Sequence, residues 1–416
     1  MLELIKLVLV FVLLVFLINK KVPVGWTLLL GAIFLGILFE LPLSALIINM
    51  GKASIESATI DLLVTILLIL LFGELLKCCG YFQNLTSALE NLIENVKLLL
   101  ILIPATIGLL PMPAGAMMSA PMVEEVGNKY NLSPEMKVSV NYWFRHILEF
   151  IFPLYQGVII SASILNVKIS RIILAQLPLS LTMILSGVLF LNSKIKVERK
   201  NNPKTTEFVK NSDNTSMIGL AFKGLWPVIL VVLLNLVLGM NLALALAVTI
   251  IFLFVIRKVS LKDMGEMIKR SFSLDIVILI LGVMIFKKLI TVSGGIEVIP
   301  QSLSNFGISP VFAVCLVPFI VGILTGMTSA FVGISYPILF FFLAPNGVNY
   351  GNVMLAYASG FTGVMLSPVH LCLVLTKDYF KASFRKVYLL ILPAGLFFLA
   401  LAIILVLLGF PWGKIG

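Results

Sequence analysis

The chain has 416 residues, 60% of them hydrophobic and 12% charged, with a formal net charge of +11. So much apolar sequence with so little charge excludes an ordinary soluble domain and a disordered chain. The positive balance gathers in short loops between apolar runs. That pattern fits the cytoplasmic side of a membrane protein and argues against a nucleic-acid partner.

Taken in chain order, apolar runs cover 4–19, 24–40, 59–77, 97–110, 137–166 and 171–193. They approach or reach the length of a bilayer core. The first, Leu4 to Ile18, is followed by Lys20-Lys21 and Pro23 without a small-residue cleavage site. It reads as an uncleaved first helix. A polar stretch, 194–216, carries Lys194, Lys196, Arg199, Lys200, Lys204 and Lys210 and reads as a cytoplasmic linker. Apolar runs resume at 217–238, 242–256, 274–292, 309–324, 351–376 and 387–410, and amphipathic pieces near 81–96, 260–272 and 296–306 are expected along the membrane surface. The four cysteines, Cys78, Cys79, Cys315 and Cys372, lack metal-ligand spacing and read as structural thiols.

The second half echoes the first. Asp61 matches Asp275, Gly80 matches Gly294, Pro104 matches Pro318 and Gly108 matches Gly322 at one constant offset. After one extra residue, Tyr142 matches Tyr357, Pro153 matches Pro368 and Pro178 matches Pro393. Matched Pro, Gly and Asp at fixed spacing point to an internal duplication. Placing the basic loops (Lys20-Lys21, Lys129 with Lys137, 194–216, Arg257 to Arg270, Lys377 to Lys386) on one side requires five crossings per half, against which Lys168 and Arg171 count weakly. The halves, 1–193 and 217–416, are then inverted copies. The expected fold is all-α and polytopic, with two inverted repeats of about five crossing helices. Each repeat holds one re-entrant hairpin (97–128 and 309–343) and one interrupted helix (137–166 and 351–376).

The breaks carry the chemistry. "GLLPMPAGAMMSAPM", Gly108 to Met122, sets Pro111, Pro113, Gly115, Ser119 and Pro121 inside apolar sequence. Its counterpart, "GILTGMTSAFVGISYP", crowds Thr325, Gly326, Thr328, Ser329 and Ser335 around a turn. Backbone freed by Pro and Gly cannot face lipid and must line protein or a watery cavity. Broken helices offer N–H groups to anions and carbonyls to cations. The first interrupted helix, "NYWFRHILEFIFPLYQG", places Asn141, Arg145 and Glu149 on one helical face before Pro153, with Tyr155 and Gln156 just beyond. Arg145 is read either as an anion ligand or as the internal partner of Glu149. The second, ending at "VMLSPVHL", adds Thr362, Ser367 and His370. The two histidines, His146 and His370, are each read more readily as satisfied polar groups than as switches. Hard oxygen donors near Gly115, Thr328, Ser329 and Ser335 suit sodium.

On "PMPAG", "TGMTS" and the breaks at Pro153 and Pro368, the chain resembles the ion transporter superfamily, which includes gluconate permeases, citrate carriers and sodium–dicarboxylate symporters. More closely, it looks like an uncharacterised integral-membrane family within that group. The Ser-Asn-Thr signatures of the dicarboxylate branch are missing, so that specificity is not carried over. The resemblance implies secondary transport by an elevator motion in a homodimer.

The expectation is ion-coupled transport of a small organic anion across the cell membrane, with Na+ or H+ as coupling ion and no other cofactor. A sodium/proton antiporter of the same architecture is the alternative. An intramembrane enzyme is not expected: H-E-x-x-H, G-x-S-x-G and Asp-rich motifs are missing, and two His with four scattered Cys make a poor catalytic metal set.

Overall fold

The computed structural model describes residues 2–81, 93, 95–109, 115–195, 214–295 and 309–411. Among them there are helices and no strands. Three helices among the described residues are long and apolar enough to cross a membrane: Ser57–Cys78, the stretch Ile169–Lys194, and Phe384–Leu407. Their length and composition mark a membrane protein. Large apolar side chains turn outward from them, Leu181 at 61% exposure and Leu389 at 64%, where a soluble protein would place polar groups.

The first half runs α1 (Leu2–Asn19), α2 (Val24–Leu38), α3 (Leu43–Ile55), α4 (Ser57–Cys78), α5 (Val96–Ile107), α6 (Ala116–Lys129), α7 (Pro134–Arg145), α8 (Gln156–Leu165) and α9 (Ile169–Phe190). The second runs α10 (Asn214–Val232), α11 (Leu242–Ile256), α12 (Leu261–Ser271), α13 (Leu274–Val292), α14 (Pro310–Thr325), α15 (Thr328–Ile338), α16 (Phe340–Leu343), α17 (Tyr350–Met365), α18 (Leu371–Tyr379) and α19 (Phe384–Leu407). Helix α3 has no counterpart among the apolar runs, because "LSALIINMGKASI" mixes polar and apolar residues. The amphipathic stretch 260–272 is a helix, α12, and none of its residues is buried. The pieces near 81–96 and 296–306, and most of the 194–216 linker, lie largely outside the described residues.

Packing crosses between the halves in matched pairs. Helix α2 packs on α13, and α11 on α4; α6 packs on α18, and α15 on α8; α7 packs on α19, and α17 on α9. Within each half, α5 lies on α7 and α14 on α17. Close approach in these last two pairs needs glycine. A Cβ on Gly108 would sit 2.2 Å from the Arg145 carbonyl oxygen, and one on Gly322 would sit 2.1 Å from that of Gly360. Ion pairing also joins the halves: Lys288 Nζ lies 2.6 Å from Glu56.

Candidate functional site

Both interrupted segments are broken where the Pro residues lie, but the first opens earlier than Pro153 alone requires. Helix α7 starts on a Ser133 cap that accepts from the Met136 amide, with Pro134 in the first turn. It stops at Arg145. A side chain competes with the backbone there. His146 Nδ1 lies 2.5 Å from the Tyr142 carbonyl, the acceptor that a continuing helix would give to the His146 amide. That amide turns instead to Trp143. Pro153 then removes the donor that would have used the Glu149 carbonyl, and the Tyr357 hydroxyl donates to it from the other half at 3.3 Å. The chain stays irregular over 146–155 until α8 begins at Gln156.

The second break, 366–370, is shorter. The Tyr142 hydroxyl donates to the Met365 carbonyl at its edge, 3.1 Å. So each half caps the other's break with a tyrosine. Ser367 donates to Ile323 O at 2.7 Å and His370 Nδ1 to Gly326 O at 2.7 Å, which ties the break to the turn between α14 and α15. Gly326 holds φ +61°, and a Cβ there would press within 2.9 Å of the His370 backbone, so glycine is required twice over.

Around these breaks lies a buried polar cluster. Arg145 Nη1 donates to Glu149 Oε1 at 2.8 Å, with side-chain exposures of 2% and 8%. Glu149 has left the helix, so the two no longer share a helical face, yet they meet. The Arg145 guanidinium packs against Gly115 at the start of α6 and reaches the Tyr155 hydroxyl at 3.4 Å. Tyr155 in turn donates to the Gly108 carbonyl. Thr328 Oγ1 donates to Glu149 Oε2 at 3.4 Å. Asn141 Nδ2 holds the Ala116 carbonyl at 2.8 Å and its Oδ1 accepts from Ser119 at 2.6 Å, fixing where α6 begins.

The expected site residues therefore sort by position. Asn141, Arg145, Glu149, Tyr155, Gly115, Ser119 and Thr328 form one connected group. Ser367 and His370 border it through the second break. Thr325 and Thr362 bond back to their own helices, to Val321 O and Ala358 O, both within the second half. Gln156 is partly buried at the first position of α8, and Ser329 is buried in the first turn of α15. Pro113 lies outside the described residues.

The four positions assigned to sodium do not make one coordination shell. Ser335 is seven residues beyond Thr328 on α15, roughly 10 Å along the axis, and Gly115 carries the Arg145 cation against it. The two histidines lie side by side. Their Nε2 atoms lie 3.2 Å apart, and Cys372 joins them.

A cleft of about 820 Å³ opens elsewhere, between the start of α4, the ends of α8 and α9 that meet at Asn166, and residues 235–242. Asp61 lines it, accepting from Asn241 Nδ2 at 2.9 Å, which is a contact between the halves. None of the buried cluster lines it.

Residues 3–409 match a family described as a protein of unknown function (DUF401). The chain belongs to that family. No curated protein matches this DUF401 chain.

Proposed function

We propose that this DUF401 protein is a secondary active transporter of a small organic anion, coupled to Na+ or H+. In this reading 1–193 and 217–416 are inverted repeats. The pairs α5–α6 and α14–α15 are re-entrant hairpins. The part that carries the hairpins moves against a scaffold in an elevator motion, within a homodimer in the cell membrane, with the central linker in the cytoplasm. The observation that carries it is the reciprocal packing of helix pairs and broken helices around one buried Arg145–Glu149 pair. Helices at positions matched in sequence pair across the two halves, which supports inverted repeats whose freed backbone is shielded from lipid. The start of α6 adds a helix N-terminus beside the Arg145 guanidinium, and both favour an anion.

Sodium/proton antiport is the second reading, favoured by the buried carboxylate of Glu149 and its Thr328 neighbour. One screen separates the two. The purified chain is heated with a panel of organic anions, with and without sodium. A ligand that binds the folded state raises the melting point. An organic anion whose effect depends on sodium or pH supports symport. A response to sodium and pH alone, with no organic ligand, supports antiport. Orientation is tested by cysteines introduced at Asn202 and Asn346. An impermeant thiol reagent should label them from opposite faces, and labelling from one face would end the inverted-repeat reading.

A further inference from the structure

The transport reading leaves one cluster of ligating side chains unused. His146 and His370 from the two breaks and Cys372 from the first turn of α18 bring three ligand atoms within 4.8 Å of one another. The hydrogen bonds around them fix the protons. Each Nδ1 faces a backbone carbonyl, Tyr142 O at 2.5 Å for His146 and Gly326 O at 2.7 Å for His370. A carbonyl only accepts, so each Nδ1 carries the hydrogen. In the neutral rings both Nε2 atoms then present lone pairs to each other across 3.2 Å. Two facing lone pairs repel unless a positive centre lies between them.

We propose that His146, His370 and Cys372 bind one divalent d-block cation of the zinc class, which clasps the two broken segments together. Three observations agree. Two nitrogens bound tetrahedrally to zinc at ~2.0–2.1 Å lie about 3.3 Å apart, which matches the 3.2 Å found here. A histidine ligand ordinarily gives its other N–H to a carbonyl or carboxylate, which fixes the ring and its tautomer; both rings here do so. Imidazole and thiolate together are a borderline-soft set that selects zinc-class ions over sodium, calcium or magnesium. Three protein ligands leave a fourth position for water or an anion. Glu149 Oε1, 3.7 Å from His146 Nε2, helps offset the charge. With thiolate and Glu149 negative and Arg145 positive, a bound divalent cation leaves one positive charge in excess, which favours an anion at the fourth position. Entry is short. His146 and Cys372 are buried, but His370 is only partly so, and its neighbours Val369 and Leu371 are 58% and 49% exposed.

The inference stands apart from transport, and its test reads metal alone. The purified full chain is stripped with a chelator and titrated with Zn2+ by calorimetry and with Co2+ by absorbance. The expected result is one equivalent per chain and a thiolate-to-cobalt charge-transfer band. Cys372→Ser should abolish that band and weaken Zn2+ binding by more than ~100-fold. His370→Gln should weaken binding similarly while keeping a thiolate band at saturating cobalt. A Cys78→Ser, Cys79→Ser double variant should change nothing. Failure of the unaltered chain to bind zinc overturns the proposal without recourse to any variant. So does a band that survives Cys372→Ser, or one that disappears with Cys78 and Cys79.

Discussion

The two breaks occupy matched places but hold different chemistry. The first spans ten residues, 146–155, and carries His146 and Glu149 beside Arg145. The second spans five, 366–370, and Gly360 and Val364 stand where the first half has Arg145 and Glu149. The scaffolding around them is alike. Gly108 lies on the Arg145 carbonyl as Gly322 lies on that of Gly360, and each break is capped by a tyrosine from the other half. Backbone placement is shared between the two breaks, while the buried Arg–Glu pair belongs to one. The symmetric features should therefore act on stability in pairs, and the asymmetric ones should act on stability singly and on ligands as well.

The largest expected effect comes from the charge. Arg145→Ala should lower stability by about 3–5 kcal/mol, because it leaves Glu149 buried without its cation. Unfolding in detergent measures it. Adding Glu149→Ala should recover most of the loss. If the double variant also regains ligand binding, Arg145 serves only to neutralise Glu149. If it folds but still cannot bind the anion, Arg145 is a ligand. Arg145→Lys sharpens this, since Lys keeps the charge but lacks the two-pronged donor.

Next come the close crossings. Gly108→Ala and Gly322→Ala each push a methyl into a backbone carbonyl that has no rotamer to escape by. Each should cost about 1–3 kcal/mol, again read by unfolding. Comparable losses support equivalent halves; a loss at only one position breaks the comparison.

How much of this is legible in sequence depends on range. The positions of the broken segments followed from Pro and Gly, because those residues act on their own backbone. The end of α7 at Arg145 did not, since it depends on where the His146 ring points, and that is set by tertiary contacts. Helix α3 was hidden by polar residues whose side chains bond within the helix, as Asn49 does to Ala45 O and Ser54 to Met50 O. The Arg145–Glu149 pair was legible from spacing, although the helix that suggested it ends before Glu149. The meeting of His146 with His370, 224 residues apart, left no local trace. Each histidine alone resembles an ordinary buried polar residue; only the fold joins them.

The exchanged tyrosines predict a smaller pair of effects. Tyr142→Phe removes a donor to Met365 O, and Tyr357→Phe one to Glu149 O. Each should cost about 1 kcal/mol in unfolding, leaving a buried carbonyl less satisfied. Tyr357→Phe should also change ligand affinity, because its acceptor belongs to the charged break. Tyr142→Phe should change it less, because its acceptor lies at the edge of the break without the carboxylate. Equal effects of both on ligand binding would mean that the charge does not localise the site.

The smallest effect on stability is expected at Thr328. Its hydroxyl makes one long hydrogen bond, 3.4 Å, to Glu149 Oε2, and its methyl packs where Gly157 opens α8. Thr328→Val keeps the shape and removes only the hydroxyl, so unfolding should shift by less than about 1 kcal/mol. Its value lies in the ion it tests. Of the oxygens first assigned to sodium, Thr328 is the one in contact with a buried carboxylate. A cation there would gain a hydroxyl and a charged oxygen together, from opposite halves. If sodium sits at this junction, Thr328→Val should weaken sodium-dependent binding while leaving proton dependence intact. If sodium dependence persists unchanged, the ion lies elsewhere, and Glu149 is left to carry a proton.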